Sequence, residues 1–392
     1  MKYDFNQIVR REGTDSVKYD MREKIFGKGE VIPLWVADMD FSTPDFIREA
    51  VIKRAEHPVY GYSFRGEGWY SSIIRWFKQQ HNWEIEKDRI VFSPGIVPAI
   101  NLCVQAFTKE GEGVIVQPPV YYPFFSAVEN NKRKLVPNPL KLENGRLCFD
   151  FDDLEKKIES EQPKMLLLCS PHNPGGSVWT REELQSLADI CIQNKVLIIS
   201  DEIHCDLVLY GNKHIPMATL SETVANHTVA CVAPSKTFNL AGMATSSVII
   251  PNEELRERFE ESIERVHVGM GNVFGNVASE AAYKQGAAWL KQLLKYIESN
   301  IDHTIAFLEH NTPVIKAIRP EATYMIWLDC RKLGMPDDEL WKFMIHEAGV
   351  GLNRGDMFGK GGEGFLRMNV ACPRITLDIA LSNIRKAIRK ET

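Results

Sequence analysis

Residues 196–207 read VLIISDEIHCDL, an apolar, β-branched run that stops abruptly at Asp201, Glu202 and His204. An apolar run with no polar alternation is the pattern of a strand covered on both faces. Runs of the same kind occur at 89–93 (RIVFS), 113–117 (GVIVQ), 164–170 (KMLLLCS), 228–235 (TVACVAPS) and 246–250 (SSVII). Helical patterns separate several of them, such as TREELQSLADICIQNK at 180–195. The alternation predicts an α/β fold, with a large domain built on a mostly parallel sheet and helices packed on both faces. Ligands of such sheets gather at the carboxyl ends of the strands, and the chemically distinctive residues of this chain cluster there.

Upstream, STPDFIREAVIKRAEH at 42–57 predicts a helix with Ser42 or Thr43 as its N-cap and Pro44 in the first turn. From about residue 290 the pattern changes to a long helix, strands in TYMIWLDC and GFLRMNVAC, and a final helix, the outline of a smaller α+β domain. The division expected is 46–289 for the large domain, with the N-terminal arm 1–45 joining 290–392. A chain of 392 residues suits that two-domain plan. Its 44% hydrophobic and 25% charged residues are ordinary for a globular protein, and no apolar run approaches a membrane span. With 47 Lys and Arg against 52 Asp and Glu, the net charge is -5 and no basic block tracks a phosphate backbone, so nucleic acid is not an expected partner. The polar start, MKYDFNQIVRREGTDSVKYD, makes the cytoplasm the expected location. Eight cysteines, scattered without a CxxC pair, read as reduced core residues.

Four strand ends carry chemistry. In VAPSKTFNLAG, Lys236 follows a strand, where its amine can form a Schiff base with an aldehyde; the plain alternative is a surface lysine. Asp201 ends a buried strand, where a carboxylate needs a cationic partner or a metal. A protonated pyridine nitrogen would serve; DEIHCD also offers Asp, His and Cys, but at a spacing that matches no zinc signature. Asn173, in LLLCSPHNPGG, stands in a turn from which its amide can donate to a phenolate oxygen. In RIVFSPGIVPAINLCVQAF a strand gives way to Gly95 and a helix starting near Ile96 and Val97, whose free N–H groups suit a phosphate.

Taken in order, SPGIVPAI, PPVYYPF, SPHNPGG, SDEIHCDL and SKTFNLAG resemble the fold-type I pyridoxal phosphate enzymes. With PLWVADMDFSTP at 33–44 and YGYSFRGEG at 60–68, the chain is similar to their MalY/PatB branch, the cystathionine β-lyases or cysteine-S-conjugate β-lyases. The likeness runs from about residue 30 to RMNVACPR near the C-terminus. It implies an aspartate aminotransferase-like large domain with a seven-stranded sheet, pyridoxal 5'-phosphate as cofactor, and no metal.

The resemblance also implies roles. Lys236 is the Schiff-base lysine and general base, Asp201 faces the pyridine nitrogen, Asn173 the ring hydroxyl, and Tyr121 sits near cofactor and lysine. Arg367 in FLRMNV grips the substrate carboxylate. Gly95, Ile96, Val97 and Ser235 form the phosphate cup, joined by Tyr60 from a second subunit, which implies a homodimer with shared active sites. His204 is placed for a polar contact to the cofactor, or is a satisfied core histidine. Trp35 is expected at the substrate, and in the aminotransferase reading it joins Tyr62 and Phe64 in lining a pocket for bulky substrates. Ala244, in GMATSS, stands where many transaminases carry a phosphate-binding arginine, which leans toward the lyases. Two other readings stay open: an aminotransferase of bulky amino acids, and a binding protein that keeps the cofactor.

Overall fold

The computed structural model describes residues 2–391. Its central sheet has seven strands: β1 Ile90–Ser93, β2 Gly113–Val116, β3 Lys134–Pro137, β4 Met165–Cys169, β5 Leu197–Asp201, β6 Thr228–Val232 and β7 Ser246–Ile249. They lie in the order β1-β7-β6-β5-β4-β2-β3. β6, β5, β4, β2 and β3 are parallel, whereas β7 runs antiparallel to both β6 and β1. Six of the seven strands are those expected from apolar runs. β3, KLVP, has no apolar run to mark it: it is an edge strand, and among its residues only Val136 is buried.

Successive strand residues feed opposite faces of the sheet. Met165, Leu167 and Cys169 of β4 join one core, with Val114, Val116 and Ile199. Leu166 and Leu168 join the other, with Ile115 and Ile198. Each such aliphatic side chain withdrawn from water contributes roughly 1.5–3 kcal/mol, and this holds the helical layers on the sheet. The helix α1 Arg181–Gln193 opens with a capping box in which Thr180 and Glu183 satisfy each other's backbone N–H. The expected helix at 42–57 is present as Asp45–Ala55, but Pro44 is its N-cap and no side chain caps it, so Ser42 and Thr43 lie outside.

A second, four-stranded antiparallel sheet follows the long helix Ala287–Asn311. It includes Met325–Asp329 and Phe365–Asn369, and the terminal helix Arg374–Glu391 comes after it. The arm joins this part of the chain through Ile32–Pro33, which pairs in parallel with Val350–Gly351. Among the described residues no helix is long and apolar enough to cross a membrane.

Candidate active site

Register brings the strand ends level. Cys169, Asp201 and Cys231 are cross-strand partners in β4, β5 and β6, so the residues just beyond them open on one edge of the sheet. There a cavity of about 210 Å³ is lined by Gly95, Ile96, Val97, Tyr121, Asn173, Asp201, His204, Ser235 and Lys236, with Ala37, Ala244 and Thr245 among its other walls. Ile96 and Val97 begin the helix Ile96–Phe107 directly after Gly95, where the first N–H groups have no acceptor within the helix. Lys236 lies in the single turn Pro234–Thr237 that follows β6.

Lys236 Nζ donates to the carbonyl of Ala37 at 2.8 Å. Burial and the charge of Arg367 bring its pKa down to about 8, against the opposing pull of Asp38 and Asp201. Asp201 is 4% exposed, and burial pushes its carboxyl up to about 7, although the Ile203 N–H and Lys236 favour the anion. The Ile203 N–H reaches Asp201 Oδ1 at 3.1 Å. Tyr121 is pushed up to about 12 by burial first, so its hydroxyl keeps its proton at neutral pH. His204 is brought down to about 3 by burial and by the charges of Lys236 and Arg367. It is therefore neutral, and its Nδ1 has no partner in the structure.

Arg367 stands beside the cavity on Phe365–Asn369. Its Nη1 donates to Asn173 Oδ1 at 3.0 Å, and its Nη2 to Asn353 Oδ1 at 2.7 Å and Trp35 O at 3.0 Å. Its Nε is buried without a partner. Trp35 thus meets the site through its backbone. This corrects the expectation of a pocket-lining indole: the ring donates to Lys18 O at 3.1 Å and packs edge-on against Phe26, in the apolar cluster with Val31 and Ile345. Tyr62 and Phe64 are 97% and 87% exposed and lie away from the cavity walls. Tyr60 is likewise exposed, and its hydroxyl donates to Ala55 O at 2.6 Å.

The alternative Asp, His and Cys set of DEIHCD is split by the fold. Asp201 and His204 face the cavity, whereas Cys205 lies with His81 and Asp206. Both Asp206 oxygens already accept hydrogen bonds, from Trp76, His81 and Thr237. Two contributors escaped sequence reasoning. The Ala37 carbonyl is backbone, which no residue type signals. Thr245 is a cavity wall whose buried Oγ1 has no partner, and it enters β7, which runs antiparallel to its neighbours in the central sheet and brings its amino end to the ligand edge.

These observations suit the cofactor expected from the sequence. Asp201 has the environment of a carboxylate awaiting a cation, and the unpartnered His204 Nδ1 and Thr245 Oγ1 await polar atoms. Residues 30–384 match the family described as aminotransferase class I and II. Cystathionine beta-lyase PatB of Bacillus subtilis (strain 168) is 43% identical over 384 residues, which cover 98% of this chain and 99% of that protein. Cystalysin from Treponema denticola, whose crystal structure contains pyridoxal 5'-phosphate, has a TM-score of 0.97 at 39% identity, with 100% of both chains covered. The C-S lyase from Staphylococcus hominis, solved with the same cofactor bound, has a TM-score of 0.91 at 33% identity, covering 99% of this chain and 98% of that one.

Proposed function

The chain belongs to the aminotransferase class I and II family, and on that premise we propose that it is a pyridoxal 5'-phosphate-dependent carbon-sulfur β-lyase. It cleaves L-cystathionine or related cysteine S-conjugates with water to pyruvate, ammonia and a thiol. One observation carries the choice of lyase over transaminase: 43% identity to a cystathionine beta-lyase over 98% of this chain. The neutral, alanine-walled corner at Ala244 agrees with it.

When bound, the cofactor supplies an electron-withdrawing ring that takes up the charge left on the substrate Cα. Asp201 would hold its protonated ring nitrogen, and that cation would in turn keep the buried carboxylate ionised. Asn173, whose Oδ1 is taken by Arg367, would offer its Nδ2 to the ring hydroxyl. The first N–H groups of the helix at Gly95, Ile96 and Val97, with Ser235, would hold the phosphate, joined by Thr245, which lines the same cavity. Arg367 would grip the substrate α-carboxylate through its fork of donors. Lys236, with a pKa of about 8, is poised to take the Cα proton on Nζ as the thiolate leaves Cβ. Tyr121, protonated and lining the same cavity, would steady that exchange by donating a hydrogen bond.

We assign residues 46–289 to the cofactor-binding domain and 1–45 with 290–392 to the smaller one, a division supported by the two sheets falling within those ranges. We further propose a homodimer in which Tyr60 completes the partner's phosphate cup. Its support is an exposed apolar stretch, Val59, Tyr60, Tyr62 and Phe64, which a lone chain would leave in water. Eight free cysteines, seven of them buried, support a reducing cytoplasm. The test of the reaction is to incubate the holoenzyme with L-cystathionine and no 2-oxo acid. Many equivalents of pyruvate and free thiol per site are expected. A single equivalent of 2-oxo acid without thiol would make it a transaminase.

A further inference from the structure

Segment 35–41, WVADMDF, has no regular secondary structure, yet it serves the site with its backbone. The Ala37 carbonyl accepts from Lys236 Nζ at 2.8 Å and from the Tyr324 hydroxyl at 2.9 Å, and the Trp35 carbonyl accepts from Arg367 at 3.0 Å. Irregular backbone has no ladder to set its register, so other groups must. Asn369 Nδ2 donates to Val36 O and Asp38 O at 2.7 and 2.6 Å. Asn239 pairs with both the N–H and the C=O of Met39 at 2.9 Å each.

Asp40 N–H donates to Ala371 O at 2.9 Å and Asn239 Nδ2 to Phe41 O at 3.3 Å, and further fastening comes from two cations of the N-terminal arm. Arg11 forks onto Asp38, with Nη2 to Oδ2 at 2.6 Å and Nη1 to Oδ1 at 3.0 Å, and Nη1 also reaches Asp40 Oδ1 at 2.7 Å. Lys18 Nζ donates to Asp40 Oδ2 at 2.9 Å. Lys18 is 0% exposed and Asp40 4%, so two cations and two carboxylates close a balanced, largely buried set. Burying ions costs solvation that a well-packed apolar contact would not, and the best-attested use of such sets is to select one arrangement of the chain. Here the arrangement selected is the one that aims the Ala37 carbonyl.

We propose that Arg11 and Lys18 are positioning residues for Lys236: through Asp38 and Asp40 they hold segment 35–41 in the register that sets the Ala37 carbonyl against the ε-amine. The inference rests on Lys236 being the reacting lysine. The other end of the segment is held independently, since Leu34 N–H donates to Gly351 O at 2.9 Å beside the paired strands Ile32–Pro33 and Val350–Gly351. Loosening the arm therefore disturbs Ala37 and Lys236 more than Trp35 and Arg367.

The test compares holoenzymes carrying Arg11→Gln and Arg11→Lys. For Arg11→Gln, kcat falls by about tenfold to a hundredfold, the range expected of a small displacement of a reacting group. KM for the amino acid, set through Arg367, stays within about twofold. Backbone hydrogen exchange quickens at residues 36–41 and nowhere else, and Arg11→Lys, which keeps the charge but not the fork, recovers part of both effects. If Arg11→Gln does not fold, Arg11→Lys alone carries the test, with a smaller fall in kcat and faster exchange at residues 36–41 expected, since it keeps the charge beside Asp38 and Asp40. An unchanged kcat overturns the proposal, as does a loss of kcat accompanied by faster exchange throughout the chain, which would make the arm a general stabiliser. Failure of the underlying reading looks different: Lys236→Ala would then retain turnover, whereas exchange in the Arg11 variants reports on the segment directly.

Discussion

Burial takes hydration from an ammonium group, and Lys236 loses it next to the guanidinium of Arg367, so its amine gives up its proton at about 8 rather than at 10.5. The sign of the consequence is definite. The unfolded chain binds a proton at this residue that the folded chain does not, between about 8 and 10.5, so this lysine favours folding more as pH rises through that window. The chemical counterpart is testable in the cofactor-free chain. Acylation of Lys236, followed by mass spectrometry of its peptide, should rise with pH to a half-point near 8, and Arg367→Met should move that half-point upward by removing a repelling charge. A half-point at the value of an exposed lysine would mean that the amine is solvated. Asp201 behaves in the opposite sense: its carboxyl is raised to about 7, so ionising it costs the cofactor-free fold stability as pH climbs from 3.8 toward 7. Opposed shifts in neighbouring groups are what a site for proton movement requires.

Strand direction decides which end of an element reaches the ligand. β4, β5 and β6 deliver their carboxyl ends to the cavity, whereas β7 runs the other way and delivers Thr245, the residue just before it. Ser246 of β7 faces Ser93 of β1, and Ser246 Oγ donates to Ser93 O at 2.8 Å, so the entry to β7 lies level with the helix start at Gly95 and Ile96. Thr245 Oγ1 is buried there without a partner. Replacing it with an isosteric valine removes an unsatisfied hydroxyl, so Thr245→Val should leave the cofactor-free protein as stable as before, or more stable by up to about 1–2 kcal/mol. The same change should weaken pyridoxal phosphate binding, by about tenfold if one hydrogen bond to a charged oxygen is lost. Thermal denaturation and a cofactor titration give the two readings. A variant that is destabilised without cofactor and unaltered in its affinity would remove Thr245 from the cup.

For the whole molecule, the cavity is lined by one chain, but Tyr62 and Phe64 are almost fully exposed and Tyr60, edge-on to Phe274, remains exposed beside them. A double variant, Tyr62→Ser with Phe64→Ser, should halve the mass seen by light scattering and weaken cofactor binding together, because the proposed interface carries Tyr60 to the partner's cup. An unchanged mass would place the interface elsewhere. The amino-acid sequence by itself determined six of the seven central strands and marked Lys236, Asp201 and Asn173, which the fold brings to one cavity. Strands such as MLLLC and LIISD are apolar on both faces, and only a covered sheet removes that surface from water, while Lys236, Asp201 and Asn173 carry chemistry that residue type announces. The tertiary structure alone decided the rest. β3 buries too little to be legible, Thr245 needed the direction of β7, and the carbonyls of Ala37 and Trp35 could have come from any residue type. Only the fold could show that the Trp35 ring is spent on Phe26. The lowered pKa of Lys236 and the raised one of Asp201 also belong to enclosure, since desolvation depends on what surrounds a charge and not on its neighbours along the chain.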